Sequence, residues 1–445
     1  MSSYACAGLI SNGYDSRERS LIPMTLKISA KYDGSLIRVG GSERYLLFKI
    51  VAEASSTLNR VPLNLSLVLD RSGSMSGENK LELVKQAAAF VVQRLSDQDR
   101  VNVIAYDDEI RVVSPAVKAT AANRQVVAAE IGKLHTGGST NLGEGWLTGC
   151  RQVAEFQTEA RYIDCAWLLT DGLANVGIVS QEELTTHATE LRKRGISTTT
   201  FGVGLDFNED LLRAMAEKGG GNFYFIDSSK QVKNYFEGEL GERLNTVARG
   251  LALQIQFPEG VSLDCVNDYE TSRGSSRVIL QLGDMYAGEE RQVLVKVTTP
   301  AHQTGEQVKL SALLMFTTPQ TGAGHEASVT DNLTLTCTSE QECNAQVIEA
   351  ELKEIIGKLL VSRARQEILA ANRIGDYAGV ESKKRAFFQS MSDADLDDAP
   401  AVQKELEELE QFSQEAAAAP LRAEQAKEAH FRSHMTSRSR KDYKR

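Results

Sequence analysis

The sequence predicts an α/β fold: a doubly wound, mostly parallel sheet inserted in an antiparallel β-sandwich and followed by a helical C-terminal region. Three observations carry this. From about residue 62 to 247, strand-like and helix-like stretches alternate, the pattern of a parallel sheet covered by helices on both faces. On either side the texture changes to short runs of alternating apolar and polar residues, as in antiparallel strands with one buried face. From 341 onward, apolar residues recur at three- and four-residue steps.

The elements follow in order. Residues 1–20 form an N-terminal extension, and "MTLKISAKYD" and "RYLLFKIVAEA" give a first part of the sandwich over 21–60. The α/β domain, 61–247, opens with the buried strand "PLNLSLVLD" and a helix over 78–95. The strand pair "RVNVIAY" and "EIRVVSPA", helices over 122–133 and 142–157, and the buried strand "YIDCAWLLTD" come next. A helix over 181–194 stops at Gly195, where glycine suits a left-handed C-cap. The strand "STTTFGVG", a helix near 208–217, "GNFYFI" and a helix over 229–247 complete the block. The runs "LALQIQF", "SRVILQLG", "RQVLVKVTT", "VKLSALLMF" and "NLTLTCTS" supply a second part of the sandwich over 248–340. Because a lone N-terminal hairpin would not be stable by itself, the two parts are expected to form one sandwich. The helical region, 341–418, carries two apolar stripes, Ile348, Leu352, Ile355, Leu359 and Val402, Leu406, Leu409, Phe412, expected to pack on the sandwich or on each other. Residues 419–445 read as a basic flexible tail ending in "SRSRKDYKR".

Composition bounds the function. The 445 residues are 42% hydrophobic and 25% charged, ordinary for globular domains. The net charge of −10 argues against a protein that coats nucleic acid or anionic lipid, which needs a summed positive field. The N-terminal stretch lacks a secretory pattern and no apolar run approaches membrane-spanning length, so a cytoplasmic protein is expected. The six cysteines are scattered, as for reduced thiols, and Cys165 within "DCAWLLT" reads as a small core residue.

Ligands of open parallel sheets bind beyond the carboxyl ends of the strands. Three oxygen-rich loops fall there: "DRSGSM" after the first strand, "HTGGSTNLGEG" leading into a helix, and "LLTDGLANVG" leaving a buried strand. Hard divalent cations such as Mg²⁺ take oxygen ligands in an octahedron. Asp70 and Asp171 can supply charge, and the hydroxyls of Ser72, Ser74 and Thr140 can ligate without neutralising the ion further. Gly73 lets the first loop turn tightly. His135, Asn141 and Asn175 stand around these loops as a partner-binding rim. Asp107, Asp108 and Glu109 read as a solvated hairpin turn. The absence of a G-x-S-x-G elbow, a nucleophile–base pair, a second-metal carboxylate cluster and a phosphate-cradling loop argues against an enzyme.

These loops resemble the von Willebrand factor A domain family. "DRSGSM" fits its D-x-S-x-S signature, and "GGSTNLGEG" and "LTDG" fit its other two site loops in order, over roughly 62–247. The resemblance implies a metal-ion-dependent adhesion site. In it Asp70, Ser72, Ser74, Thr140 and Asp171 hold Mg²⁺ or Mn²⁺, with Ca²⁺ less suited, and a partner's Asp or Glu completes the shell. It also implies a cytoplasmic bacterial-type member acting as a protein-interaction module or adaptor. The alternatives are an assembly component working with an AAA+ ATPase or by self-association and, behind these, a metal-dependent hydrolase. The layout of sandwich plus insertion is similar in texture to inter-alpha-trypsin inhibitor heavy chains.

Overall fold

The computed structural model describes residues 26–439 except 54–59, 78, 158–161, 173, 205–206, 227–228, 320–321 and 330–332. The expected extension over 1–20 therefore lies outside the described residues.

A six-stranded sheet runs in the spatial order Ile110–Lys118, Arg100–Tyr106, Leu63–Asp70, Ile163–Thr170, Ile196–Val203, Gly220–Ile226. The first two strands pair antiparallel as a hairpin, and all other neighbours pair parallel. Every residue of Leu63–Asp70, Ile163–Thr170 and Ile196–Val203 is buried, which is why these strands read as continuous runs without alternation. The helices lie on opposite faces. Gly149 of helix Leu142–Ala154 sits against Ser66 and Val68, whereas Phe236 of helix Ser229–Leu244 meets Trp167, the register partner of Leu67, edge-on. Side chains alternate along a strand, so these contacts belong to the two sides of the sheet. Strand Leu63–Asp70 is central: the chain runs first to Arg100–Tyr106 on one side and later to Ile163–Thr170 on the other. Its carboxyl end is thus a topological switch point.

Strand Ser42–Ala52, ahead of this block, pairs antiparallel with Glu290–Thr299, which follows it. One antiparallel sheet runs Leu26–Tyr32, Ser42–Ala52, Glu290–Thr299, Ser262–Cys265. A second runs Glu270–Arg273, Arg277–Tyr286, Thr246–Gln256, Ser311–Thr317, Gly324–Val329. Phe48, Ile50 and Val295 of the first share one apolar core with Leu253, Ile255 and Leu280 of the second. Leu47 and Leu294 point away from that core and meet the C-terminal helices Ala350–Arg373 and Pro400–Ala418. Both apolar stripes are used there: Leu352 and Leu359 pack with Val402, Leu406 and Leu409.

The reading of 419–445 as a flexible tail is corrected over most of its length. Ala423–Ser437 is a helix, and its Phe431 and Met435 belong to the core of the α/β domain. Phe431 stands 5.6 Å, centroid to centroid, from Tyr235 of helix Ser229–Leu244. Its basic residues are engaged rather than solvated. Lys427 is 3% exposed and donates to the Phe207 carbonyl and to Glu209, each at 2.7 Å. The stripe was hidden because Phe431 and Met435 share the buried face with Ala426, Ala429, Lys427, His430 and His434. Residues 440–445 lie outside the described residues.

Candidate functional site

The central strand ends at Asp70, whose side chain is fully buried. Its Oδ1 accepts the Ser72 backbone N–H at 2.8 Å, and its Oδ2 accepts the Thr170 hydroxyl at 2.5 Å and the Tyr106 hydroxyl at 3.4 Å. Both hydroxyl donors sit at the ends of flanking strands, so the sheet itself fixes the carboxylate. Burial pushes Asp70 up to about 6, against the hydrogen bonds from Ser72 and Thr170 and aided by the charge of Asp171. A carboxylate held this way lacks a compensating positive charge of its own.

The loop after Asp70 closes into a short 3₁₀ turn, Gly73–Ser76, before helix Lys80–Arg94. The Ser72 and Ser74 hydroxyls come within 3.1 Å, and Ser74 Oγ donates to Asp171 Oδ1 at 2.8 Å. Asp171 leaves its strand fully buried. Thr140 is buried and arrives from the second loop, locked by Asn175. The Asn175 side chain accepts the Thr140 N–H at 2.8 Å, and the Asn175 N–H donates to the Thr140 carbonyl at 3.1 Å. A Cβ placed on Gly172 would lie 3.3 Å from Thr140 Oγ1 and 3.5 Å from Asp70 Oδ2. Glycine here leaves open the space that both oxygens border.

All five residues expected at the site therefore converge. Of the rim residues, Asn175 braces Thr140, and Asn141 caps helix Leu142–Ala154 by accepting the Glu144 N–H at 3.4 Å. His135 is exposed in the second loop. The donors suit a hard divalent cation: two carboxylates and three hydroxyls, all oxygen. Among the described residues no group of three or more His, Cys, Asp or Glu side chains is placed to hold an ion, so the hydroxyls are needed to fill a shell.

Two site residues were missed in the sequence. Asp107 was read as solvated, yet it is 3% exposed and ties the first two loops together. It accepts from Arg71 Nη2 at 2.9 Å, from the Gly138 N–H at 3.0 Å and from the Glu109 N–H at 2.9 Å. Gly137 makes room for it, since a Cβ there would lie 1.7 Å from Asp107 Oδ2. Arg71 thus helps hold the two loops together, and Met75 of the same loop is buried in the core. The other is Lys80, 4% exposed, whose Nζ lies 2.9 Å from Asp171 Oδ2. A lysine in the first turn of a helix opposes the macrodipole, a signal that it has a specific acidic partner.

Residues 64–238 match the von Willebrand factor type A domain family. A solved von Willebrand factor type A protein from Catenulispora acidiphila superposes with a TM-score of 0.72 at 18% identity, over 92% of this chain and 96% of that one. The central block is a von Willebrand factor type A domain. Proteins similar to this chain include the uncharacterized protein YfbK of Escherichia coli, 28% identical over 55% of this chain and 42% of its own length. An uncharacterized Synechocystis protein is 27% identical over 76% of this chain and 80% of its own. Human inter-alpha-trypsin inhibitor heavy chain H3 is 26% identical over 49% and 25% respectively. The chain spans less than half of the Escherichia coli and human relatives. Among the described residues no helix is long and apolar enough to cross a membrane.

Proposed function

We propose that this chain is a metal-dependent protein-interaction module. Asp70, Ser72, Ser74, Thr140 and Asp171 would hold Mg²⁺ or Mn²⁺, and an Asp or Glu of a partner protein would complete the shell. When bound, the ion supplies a positive centre that a carboxylate can reach from solvent. The chain's own residues do the rest: Asp70 and Asp171 provide fixed charge, the hydroxyls orient the open position, and Asp107 and Asn175 hold the loops in register. The observation that carries this reading is the meeting of oxygens from three sequence-distant loops around the space left by Gly172. Calcium is the poorer fit, because it takes six to eight oxygens and this site is sparse in carboxylates.

The same reading places the chain in the cytoplasm, in keeping with the free thiols of Cys150, Cys165, Cys265, Cys337 and Cys343. The test is affinity capture from its own cells with wild type and Asp70→Ala, in Mg²⁺ and in EDTA. Capture that needs both Asp70 and the ion supports the proposal; capture that survives both losses overturns it. The full chain must be used. Ending it near residue 340 would remove Phe431 and Met435 from the domain core.

A further inference from the structure

We infer that a basic cavity at the amino-terminal edge of the parallel sheet binds a phosphate group, as the free ion or as a monoester. It lies at the end of the sheet opposite the candidate metal site and does not depend on it. Strands Ile196–Val203 and Gly220–Ile226 run parallel, and Gly195 and Gly220 stand at the edge where they begin. There a cavity of about 330 Å³ opens between the α/β domain and the sandwich. Helix Gln181–Lys193 and its cap supply Arg192, Lys193 and Arg194 to the wall, strand Thr246–Gln256 supplies Arg249, and strand Arg277–Tyr286 supplies Asp284. Four cationic side chains therefore share the wall with one carboxylate, in a chain whose net charge is −10.

The cavity is shaped around its arginines. Gly220, at φ 71°, makes room for one: a Cβ there would lie 3.0 Å from Arg192 Nε. Gly195, at φ 87°, does the same for the other, with a Cβ 3.3 Å from Arg249 Nη2. Arg249 donates to the Gly195 carbonyl at 2.6 Å and the Tyr162 carbonyl at 3.3 Å, which fixes the guanidinium without neutralising it. The oxygens of Asp284 are taken by the Gly250 N–H at 3.1 Å and by Arg243 at 3.4 Å. Arg192 pairs with Glu270 at 3.8 Å, but Lys218 already holds that carboxylate at 3.0 Å. The Arg192 Nη2 is buried and has no hydrogen-bond partner among the described residues. Burial, with Arg438 adding repulsion against the pull of Asp284 and Glu270, lowers the Arg192 pKa. A buried donor without a partner and a charge without full compensation both favour an anion.

The helix dipole accounts for Lys193 and Arg194 at a helix end, but not for Arg249, which arrives from the sandwich. Guanidinium forks match the geometry of phosphate, and positive charge from two domains around one cavity suits a ligand with several oxygens and about two negative charges. The volume leaves space beyond the phosphate for a small organic group. Because both domains form the wall, the ligand should bind the folded junction alone and stabilise it.

The test is isothermal titration of inorganic phosphate and of glycerol 3-phosphate into the full chain, in EDTA and at constant ionic strength, so that the metal site takes no part. The proteins are wild type, Arg192→Gln, the double variant Lys193→Gln/Arg194→Gln and, as control, Lys404→Gln, an exposed lysine of helix Pro400–Ala418. The expected result is one saturable site in wild type and K404Q. It should be roughly tenfold weaker in R192Q and at least about threefold weaker in the double variant, whose charges are exposed and screened. Phosphate should also raise the unfolding temperature of wild type more than that of the double variant. The double variant changes exposed side chains alone, so it decides the matter if R192Q does not fold. Tighter binding of glycerol 3-phosphate assigns an organic phosphate, and equal or weaker binding assigns the free ion; either supports the site. No binding by wild type, or equal binding by wild type and the double variant, would overturn the inference and leave the metal site standing.

Discussion

Replacing Asp107 by alanine should loosen the proposed metal site from outside its candidate ligand set. The Asp107 side chain is 5% exposed and receives three donors, one of them the guanidinium of Arg71, itself 17% exposed. A hydrogen bond to a charged group contributes about 1.5–3 kcal/mol, but Gly138 is exposed and water can reach part of what is lost. A net loss of about 2–4 kcal/mol follows, below the simple sum because the three bonds share one acceptor group. Two backbone bonds still join the first two loops, Gly73 N–H to the Gly138 carbonyl at 2.8 Å and Gly137 N–H to the Arg71 carbonyl at 2.7 Å. The loops should therefore loosen and not detach, and if about 1.4 kcal/mol of the loss falls on Thr140, Mn²⁺ affinity drops roughly tenfold. Urea unfolding followed by tryptophan fluorescence gives the first quantity and Mn²⁺ titration the second. Glu109→Ala, an exposed side chain in the same turn, is the control and should match wild type within about 0.5 kcal/mol. If D107A and E109A behave alike in both assays, the role assigned to Asp107 is wrong.

Other outcomes follow from the same physical rules. Arg243 and Glu239 are both fully buried and bonded at 2.9 Å, and Glu239 also accepts from Thr199, Asn222 and Tyr224. Arg243→Met should cost about 3 kcal/mol by stranding Glu239, and adding Glu239→Met should recover most of it; a double variant no more stable than the single one would contradict this. Acid should release the C-terminal helix. Burial, with Arg213 adding repulsion, holds His430 down to about 2, and burial lowers His434 against the pull of Glu217. The unfolded histidines take up protons first, so stability falls as pH drops below about 6.5. Burial would raise Glu217, but Arg213 and His434 outweigh it and hold it at about 2, so a further loss begins below about 4.5. Hydrogen-exchange protection of residues 423–437 should fall between pH 7.5 and 5.5 ahead of strand Ile163–Thr170, and equal loss in both would refute the account.

Much of the fold was legible because its strongest signals are periodic. The buried strands "LNLSLVL" and "IDCAWLL" announce a parallel sheet, and Gly195, observed at φ 87°, marks a helix end as expected. The convergence of the candidate residues was legible because Asp70, Ser72 and Ser74 alternate at one strand end. Thr140 and Asp171 sit at comparable loops whose motifs could be matched in order. Asp107 and Lys80 were not legible, since their work lies in pairing with residues far along the chain. An acid in a hairpin turn and a lysine near a helix start look solvated until the fold brings Arg71 and Asp171 to them. The C-terminal helix escaped for a related reason. Lys427 and His434 sit on its buried face, paired with Glu209 and Glu217, so charge masked the periodicity that would have revealed it.

The central claim is that oxygens from three loops hold one divalent cation. It is tested most directly by titrating Mn²⁺ into wild-type and Asp70→Ala protein, with circular dichroism to verify that both are folded. The account predicts one saturable site in wild type, removable by EDTA without unfolding because Lys80 satisfies Asp171, and no site in D70A. Equal binding by the two proteins, or none by folded wild type, would contradict it.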